Sequence, residues 1–205
     1  MSISIVSKSL LGLIAFVFIS TAAAHSFNLV FVAPFAKVSG KSALNGFLLA
    51  TREQDSHANE ESNGHLGGLD SYIFRVDTME GEATLLHRLE NTIRKSKPLF
   101  AAGLDLNTAT LNMLESNGVV VVEPMSSGFW ASLTADPGQL KLINGEDFVS
   151  AFQRTYGHDP DLQAIHGYLA ARIIAMVLRN SDEPAQEDPG VLKQALYEVL
   201  AKSHL

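Results

Sequence analysis

At 205 residues, 46% hydrophobic and 18% charged, the chain has an ordinary globular composition with material for one good core. It contains no cysteine, which excludes a disulfide framework, a thiol nucleophile and a lipid-modified N-terminal cysteine. Beyond residue 24 it holds 14 basic against 22 acidic residues, since Lys8 is the only charge before that point, and a formal charge of −8 argues against nucleic acid as a partner.

Residues 1–24 read as a secretory signal peptide. Lys8 supplies the positive start, Leu10 to Ile19 the apolar stretch and Ala22-Ala23-Ala24 the small-residue cleavage site. The apolar run falls short of the ~20 residues a membrane span requires. The expected product, 25–205, is therefore exported to the periplasm without a span and forms a single α/β lobe.

The next stretch, Phe27 to Gly46, carries strand-forming residues into a Pro/Gly-punctuated loop and an apolar helix, a β-loop-α unit. Its run Leu29 to Val32 is continuous enough for a strand buried on both faces of a parallel sheet. Gly40 to Gln54 reads as a helix with Leu44, Phe47 and Leu48 inward, capped by Ser39 or Ser42. Arg52 to Gly68 is polar and acidic and reads as a solvated loop. His57 and His65 lie there without the ligand spacing of a known metal site.

Tyr72 to Val76 predicts the second strand, and Asp77 with Glu80 a helix start. The helix that follows is expected to bury Leu86, Leu89 and Ile93 and to stop before Pro98. Leu99 to Gly103 predicts the third strand, Thr108 to Ser116 a helix closed by Asn117-Gly118, and Val119 to Val122 the fourth strand. This βαβαβαβ order predicts a doubly wound parallel sheet in a three-layer α/β/α arrangement. Beyond it, Leu140 to Ile143 suggests one short strand. Asn144 is the expected cap of a helix bearing Phe148, Phe152 and Tyr156, stopped by Gly157. Asp159-Pro160 is the expected start of a helix with the stripe Ile165, Leu169, Ile173, Met176 and Val177, and Asp188-Pro189 of a last helix with Leu192, Leu196, Val199 and Leu200 inward.

In such sheets ligands lie outside the carboxyl ends of the strands. Three loops, 34–39, 104–108 and 124–128, are expected to emerge there and to gather Phe35, Ser39, Asn107, Thr108, Ser126 and Ser127 into one shallow basin. Helix-start amides and hydroxyl donors suit a carboxylate, although the same residues also serve as helix caps. Other chemistries lack their signatures. Val38 to Ser42 (VSGKS) follows a strand as a phosphate loop would, but Phe35 stands where that motif needs its first glycine, and GxGxxG is absent. No GxSxG elbow accompanies His158 or His166, so no hydrolase is expected, and His166 reads as a packed structural histidine. Phe129 and Trp130 flank the third loop and serve equally as ligand-stacking or packing groups. No cofactor is expected.

Two longer stretches carry a family resemblance. APFAKVSGKSALNGFLLA followed by GGLDSYIFRVDT resembles the opening of type I periplasmic binding proteins of the leucine/isoleucine/valine-binding kind, and FVSAFQRTYGHDPDLQAIHGYLAARIIAMVL resembles their C-terminal helix pair. The resemblance implies capture of an amino-acid-like ligand for an ABC permease or a sensor, without catalysis. It places Asn107 on a ligand-binding serine, and Ser126 and Ser127 on a segment that offers backbone and hydroxyl to the ligand. Only Phe129 to Glu146 occupies the place of the family's second lobe, so the resemblance covers one lobe. A homodimer or protein partner supplying the missing wall is the alternative expectation, as an interaction module that no longer binds a small ligand.

Overall fold

The computed structural model describes residues 26–53, 55, 61–123, 140–181 and 188–202. The expected signal peptide, His57, and Ser126, Ser127, Phe129 and Trp130 lie outside the described residues.

Strand β1 (Ser26–Ala33) is the centre of the sheet. It pairs in parallel with β3 (Leu69–Asp77) on one side and with β4 (Phe100–Gly103) on the other, and β4 pairs in parallel with β5 (Val120–Val121). A two-residue strand β2 (His65–Leu66) adds antiparallel to the outer side of β3, giving the order β2-β3-β1-β4-β5. The fold is thus α/β with a mixed, mostly parallel sheet. The polar loop expected over 52–68 contains β2, where His65 Nε2 lies 2.8 Å from Asp70 Oδ1 and Nδ1 3.4 Å from Asp55. A two-residue strand is too short to show a period.

Alternation along β1 sets the two cores. Leu29, Phe31 and Ala33 face one side, with Ala43, Leu44 and Phe47 of α1 (Val38–Arg52) and with α5 (Leu162–Arg179). Val30 and Val32 face the other, with Leu85, Leu89 and Ile93 of α2 (Glu82–Ser96) and Leu114 of α3 (Thr108–Ser116). A chain that steps outward from β1 to β3 and then back across it to β4 changes the face of its crossover helix if the hand is constant. The cores show that change, with helices on both faces, an arrangement compatible with three layers. α4 (Phe148–Tyr156) and α6 (Pro189–Lys202) complete the first face.

Several helix starts differ from expectation. α2 follows a 3₁₀ turn over Thr78–Glu80, whose first turn Asp77 caps, so Leu85, Leu89 and Ile93 form the i, i+4, i+8 stripe and Leu86 lies on the flank. The segment 140–148 is a turn with one bridge, Lys141 to Asp147, rather than a strand. Within it Asn144 accepts from the Glu146 N–H at 2.9 Å, so Asp147 is left to cap α4 through Ser150. Gly157 ends α4 in the left-handed region at φ 77°, as expected.

α5 starts at Leu162 with Asp161 as its cap, not at Asp159-Pro160. One carboxylate oxygen of Asp161 accepts from the Ala164 N–H at 2.8 Å and from the Ser42 hydroxyl at 2.5 Å. Ser42 therefore ties α1 to α5 instead of capping α1. Asp161→Ala is expected to cost about 2 kcal/mol, through the lost cap and the buried Ser42 hydroxyl left without its acceptor. Asp161→Asn should retain most of that stability, and urea unfolding midpoints of the two variants check it. α5 is buried on nearly all sides, with Met176 only partly so, which is why its apolar positions exceed one stripe.

Candidate functional site

β1 neighbours β3 on one side and β4 on the other, so the chains leaving β1 and β4 diverge. This is the switch point at which doubly wound sheets bind ligands. After β1 the chain makes a tight turn in which the Lys37 N–H donates to the Pro34 carbonyl at 2.8 Å. Gly40 presses on that carbonyl so closely that a Cβ would lie 2.4 Å from its oxygen. After β4 the Leu104 N–H still reaches the Val32 carbonyl at 2.9 Å, and a Cβ on Gly103 would lie 1.9 Å from that oxygen. Gly40 thus lets the first turn of α1 close on the loop after β1, and Gly103 holds the end of β4 against β1.

The two loops deliver two helix N-termini to this edge. α1 starts after Lys37 with no side-chain cap and no acidic residue in its first turn, so its first amides keep their donors and their share of positive dipole. Lys37 and Lys41 are exposed beside it. α3 is capped: Asn107 Oδ1 accepts from the Thr110 N–H at 2.8 Å. The carbonyl end of Asn107 is thereby engaged, which leaves its amide nitrogen as the group able to donate to a ligand. Thr108 is exposed at the first helical position. Between them Asp105 takes a left-handed backbone at φ 58°, uncommon for a residue with a side chain.

Phe35, Asn107 and Thr108 thus stand on the same edge of the sheet, beyond the ends of two paired strands. Phe35 is half-buried, its ring 6.3 Å from that of Phe31 and packed on the core, so it lines the rim more than it offers a free face. Ser39 is half-buried in the first turn of α1. His158, exposed, is hydrogen-bonded through Nδ1 to the Asp159 carbonyl at 2.8 Å and lies edge-on to Phe152. His166 has a buried Nε2 without a hydrogen-bond partner, and burial lowers its pKa against the opposing pull of Asp161.

Two features escape a reading of the sequence. One is a buried polar cluster at the far end of α1, where Glu53, Tyr168 and Arg172 meet. Arg172 donates to the Tyr168 hydroxyl at 2.9 Å and lies 3.6 Å from Glu53, whose side chain is only 5% exposed. Its one signal is a lone arginine inside an apolar helix. The other is a groove of about 340 Å³ along β5, between α3 and α6.

The class these observations define is an α/β protein with a mixed, mostly parallel five-stranded sheet flanked by helices. No protein family, curated protein or solved structure matches the chain. Among the described residues no helix is long and apolar enough to cross a membrane.

Proposed function

We propose that the chain is an exported, non-catalytic binding domain, akin to one lobe of a type I periplasmic binding protein, that takes a small amino-acid-like ligand at the switch point for an ABC permease or a sensor. The observation that supports this best is the uncapped N-terminus of α1, flanked by Lys37 and Lys41, on the same edge as the α3 start. Orphan amides and a positive dipole end favour a carboxylate. Asp105 on the neighbouring loop offers the opposite charge to an ammonium, so the pair of loops suits a zwitterion better than a simple anion. Ser126 and Ser127 belong to this reading through the family resemblance.

Asn107→Asp separates ligand contact from helix capping. The aspartate keeps the oxygen that Thr110 needs but removes the amide donor and adds a charge that repels a carboxylate. Calorimetry with a panel of free amino acids is expected to give heat with at least one, weakened more than tenfold in Asn107→Asp at unchanged thermal stability. Asn107→Ala is expected to lose about 1 kcal/mol of stability as well, through the cap. No heat with any amino acid, and no upward shift of the thermal midpoint, would remove the ligand reading.

A further inference from the structure

We propose that the cleft between α2 and β3 is a binding site for a small aromatic carboxylate. It has a volume of about 420 Å³, within the range of ligand pockets. Phe74 and Val76 line it from β3, where alternation places them on the α2 face in register with Val30 and Val32. Val76 is buried, but Phe74 is 38% exposed. Arg88 and Lys95 line it from α2, two turns and about 10 Å apart along the helix. Arg75 adds a third cation from the strand.

The ligand class follows from which lining groups are free. No lining residue is acidic, so nothing there attracts a cation. The neutral groups are engaged within the protein. The Thr92 hydroxyl donates to the Arg88 carbonyl at 2.9 Å, the Ser96 hydroxyl to the Thr92 carbonyl at 2.8 Å and the Asn28 amide to the Ser96 carbonyl, while Asn91 meets Arg94 and His87. A sugar or polyol, which needs neutral donors and acceptors side by side, is therefore poorly matched. The cations remain. Glu80 meets Arg88 at its Nε, 2.9 Å away, which orients the guanidinium and leaves its terminal N–H groups for the two oxygens of a carboxylate. Arg75 and Lys95 are exposed and form no ion pair among the described residues. The Phe74 ring sets the rest of the ligand. A bare inorganic anion would leave that ring in water, whereas a flat aromatic body covers it.

The cleft shares no residue with the switch-point loops, so failure here leaves the ligand reading there intact. Calorimetry with 2-naphthoate, which has a carboxylate and rings but no ammonium, is expected to give saturable heat. Inorganic phosphate, an anion without a ring, and 2-naphthol, the ring without a carboxylate, are each expected to bind about tenfold more weakly or worse. Arg88→Gln and Lys95→Gln each remove a charge-assisted donor from an exposed position and are expected to weaken naphthoate about tenfold or more at unchanged circular dichroism. Phe74→Ala is expected to weaken it roughly fivefold through the lost ring contact. Lys202→Gln removes the same charge from α6, on the opposite face of the sheet, and is expected to change nothing. No heat with naphthoate would overturn the proposal. So would phosphate or naphthol binding as tightly as naphthoate, or naphthoate binding that survives both Arg88→Gln and Lys95→Gln.

Discussion

Gly167→Ala is expected to destabilise the protein by about 3 kcal/mol or more, the opposite of what the same exchange does in an exposed helix. In the interior of a free helix alanine is favoured over glycine by about 1 kcal/mol. Here a Cβ on Gly167 would stand 1.8 Å from the carbonyl oxygen of Ala43, and the obstacle is backbone, which cannot turn aside as a side chain can. The contact has a counterpart on the facing helix: a Cβ on Gly46 would stand 1.8 Å from the carbonyl oxygen of Ala164. α1 and α5 therefore meet backbone to backbone. Either alanine must push them apart and open the core around Phe47 and Leu169, an overpacking cost above the usual range of about 1–3 kcal/mol.

Because both substitutions force the same separation, Gly46→Ala with Gly167→Ala is expected to cost clearly less than the sum of the singles. Urea midpoints of the two singles and the double test this, and a raised midpoint in Gly167→Ala would refute the close approach. The spacing also reaches the candidate site. α1 carries the turn over Pro34 to Lys37, and Asp161 at the head of α5 is tied to Ser42, so helices forced apart also displace the switch-point loops.

What could be read from the sequence was what depends on local residues. The β1 run was legible because a strand buried on both faces leaves an unbroken apolar signature. α3 was legible to its ends, Thr108–Ser116, because Asn107 caps it and Asn117-Gly118 punctuates its close. Where several cap-type residues lie close together, the choice is made by partners the fold selects: the Glu146 amide, which engages Asn144 and leaves Asp147 to cap α4, and for Asp161 the distant Ser42. The sequence does not display those partners. The switch-point edge followed from strand order, but the division of labour within Asn107 did not, because it needs the position of the Thr110 amide. Phe35 reads from the sequence as available to a ligand, because its contact with the Phe31 ring is made only in the fold. The Glu53, Tyr168 and Arg172 cluster was invisible because Glu53 opens what reads as a solvated loop while its partners lie more than a hundred residues later.

That cluster yields the second large effect. Arg172→Met is expected to cost about 2 kcal/mol or more, toward the lower end for a broken buried pair because Arg172 is itself 27% exposed. It would leave the Glu53 carboxylate with the Tyr168 hydroxyl and the Ile143 N–H alone. Burial raises the Glu53 pKa above its ordinary 4.5, against the lowering by Tyr168, Ile143 and Arg172. An acid raised in this way binds its proton more readily folded than unfolded. Its stabilising contribution is complete below 4.5 and is lost as the pH rises through the folded value. Glu146 and Asp147 in the adjoining turn have lowered pKa values, Glu146 through its hydrogen bond to Arg154 and Asp147 through Ser150, and so carry the opposite sign. A bare pH profile mixes the three, and the difference between wild type and Glu53→Gln isolates one. The glutamine is expected to match wild type in acid and to gain in urea midpoint as the pH rises through the titration of Glu53. A deficit that grows with pH would mean instead that attraction to Arg172 outweighs the cost of burying the charge. Tyr168 adds an alkaline arm. Burial, then the hydrogen bond to Glu53, pushes its hydroxyl far above the ordinary tyrosine range, so stability present below 10.0 is lost as that hydroxyl ionises. Tyr168→Phe is expected to abolish that late step in tyrosinate absorbance while keeping the ring contact with Phe148. Its cost at neutral pH then measures what the hydroxyl contributes to holding Glu53 in place.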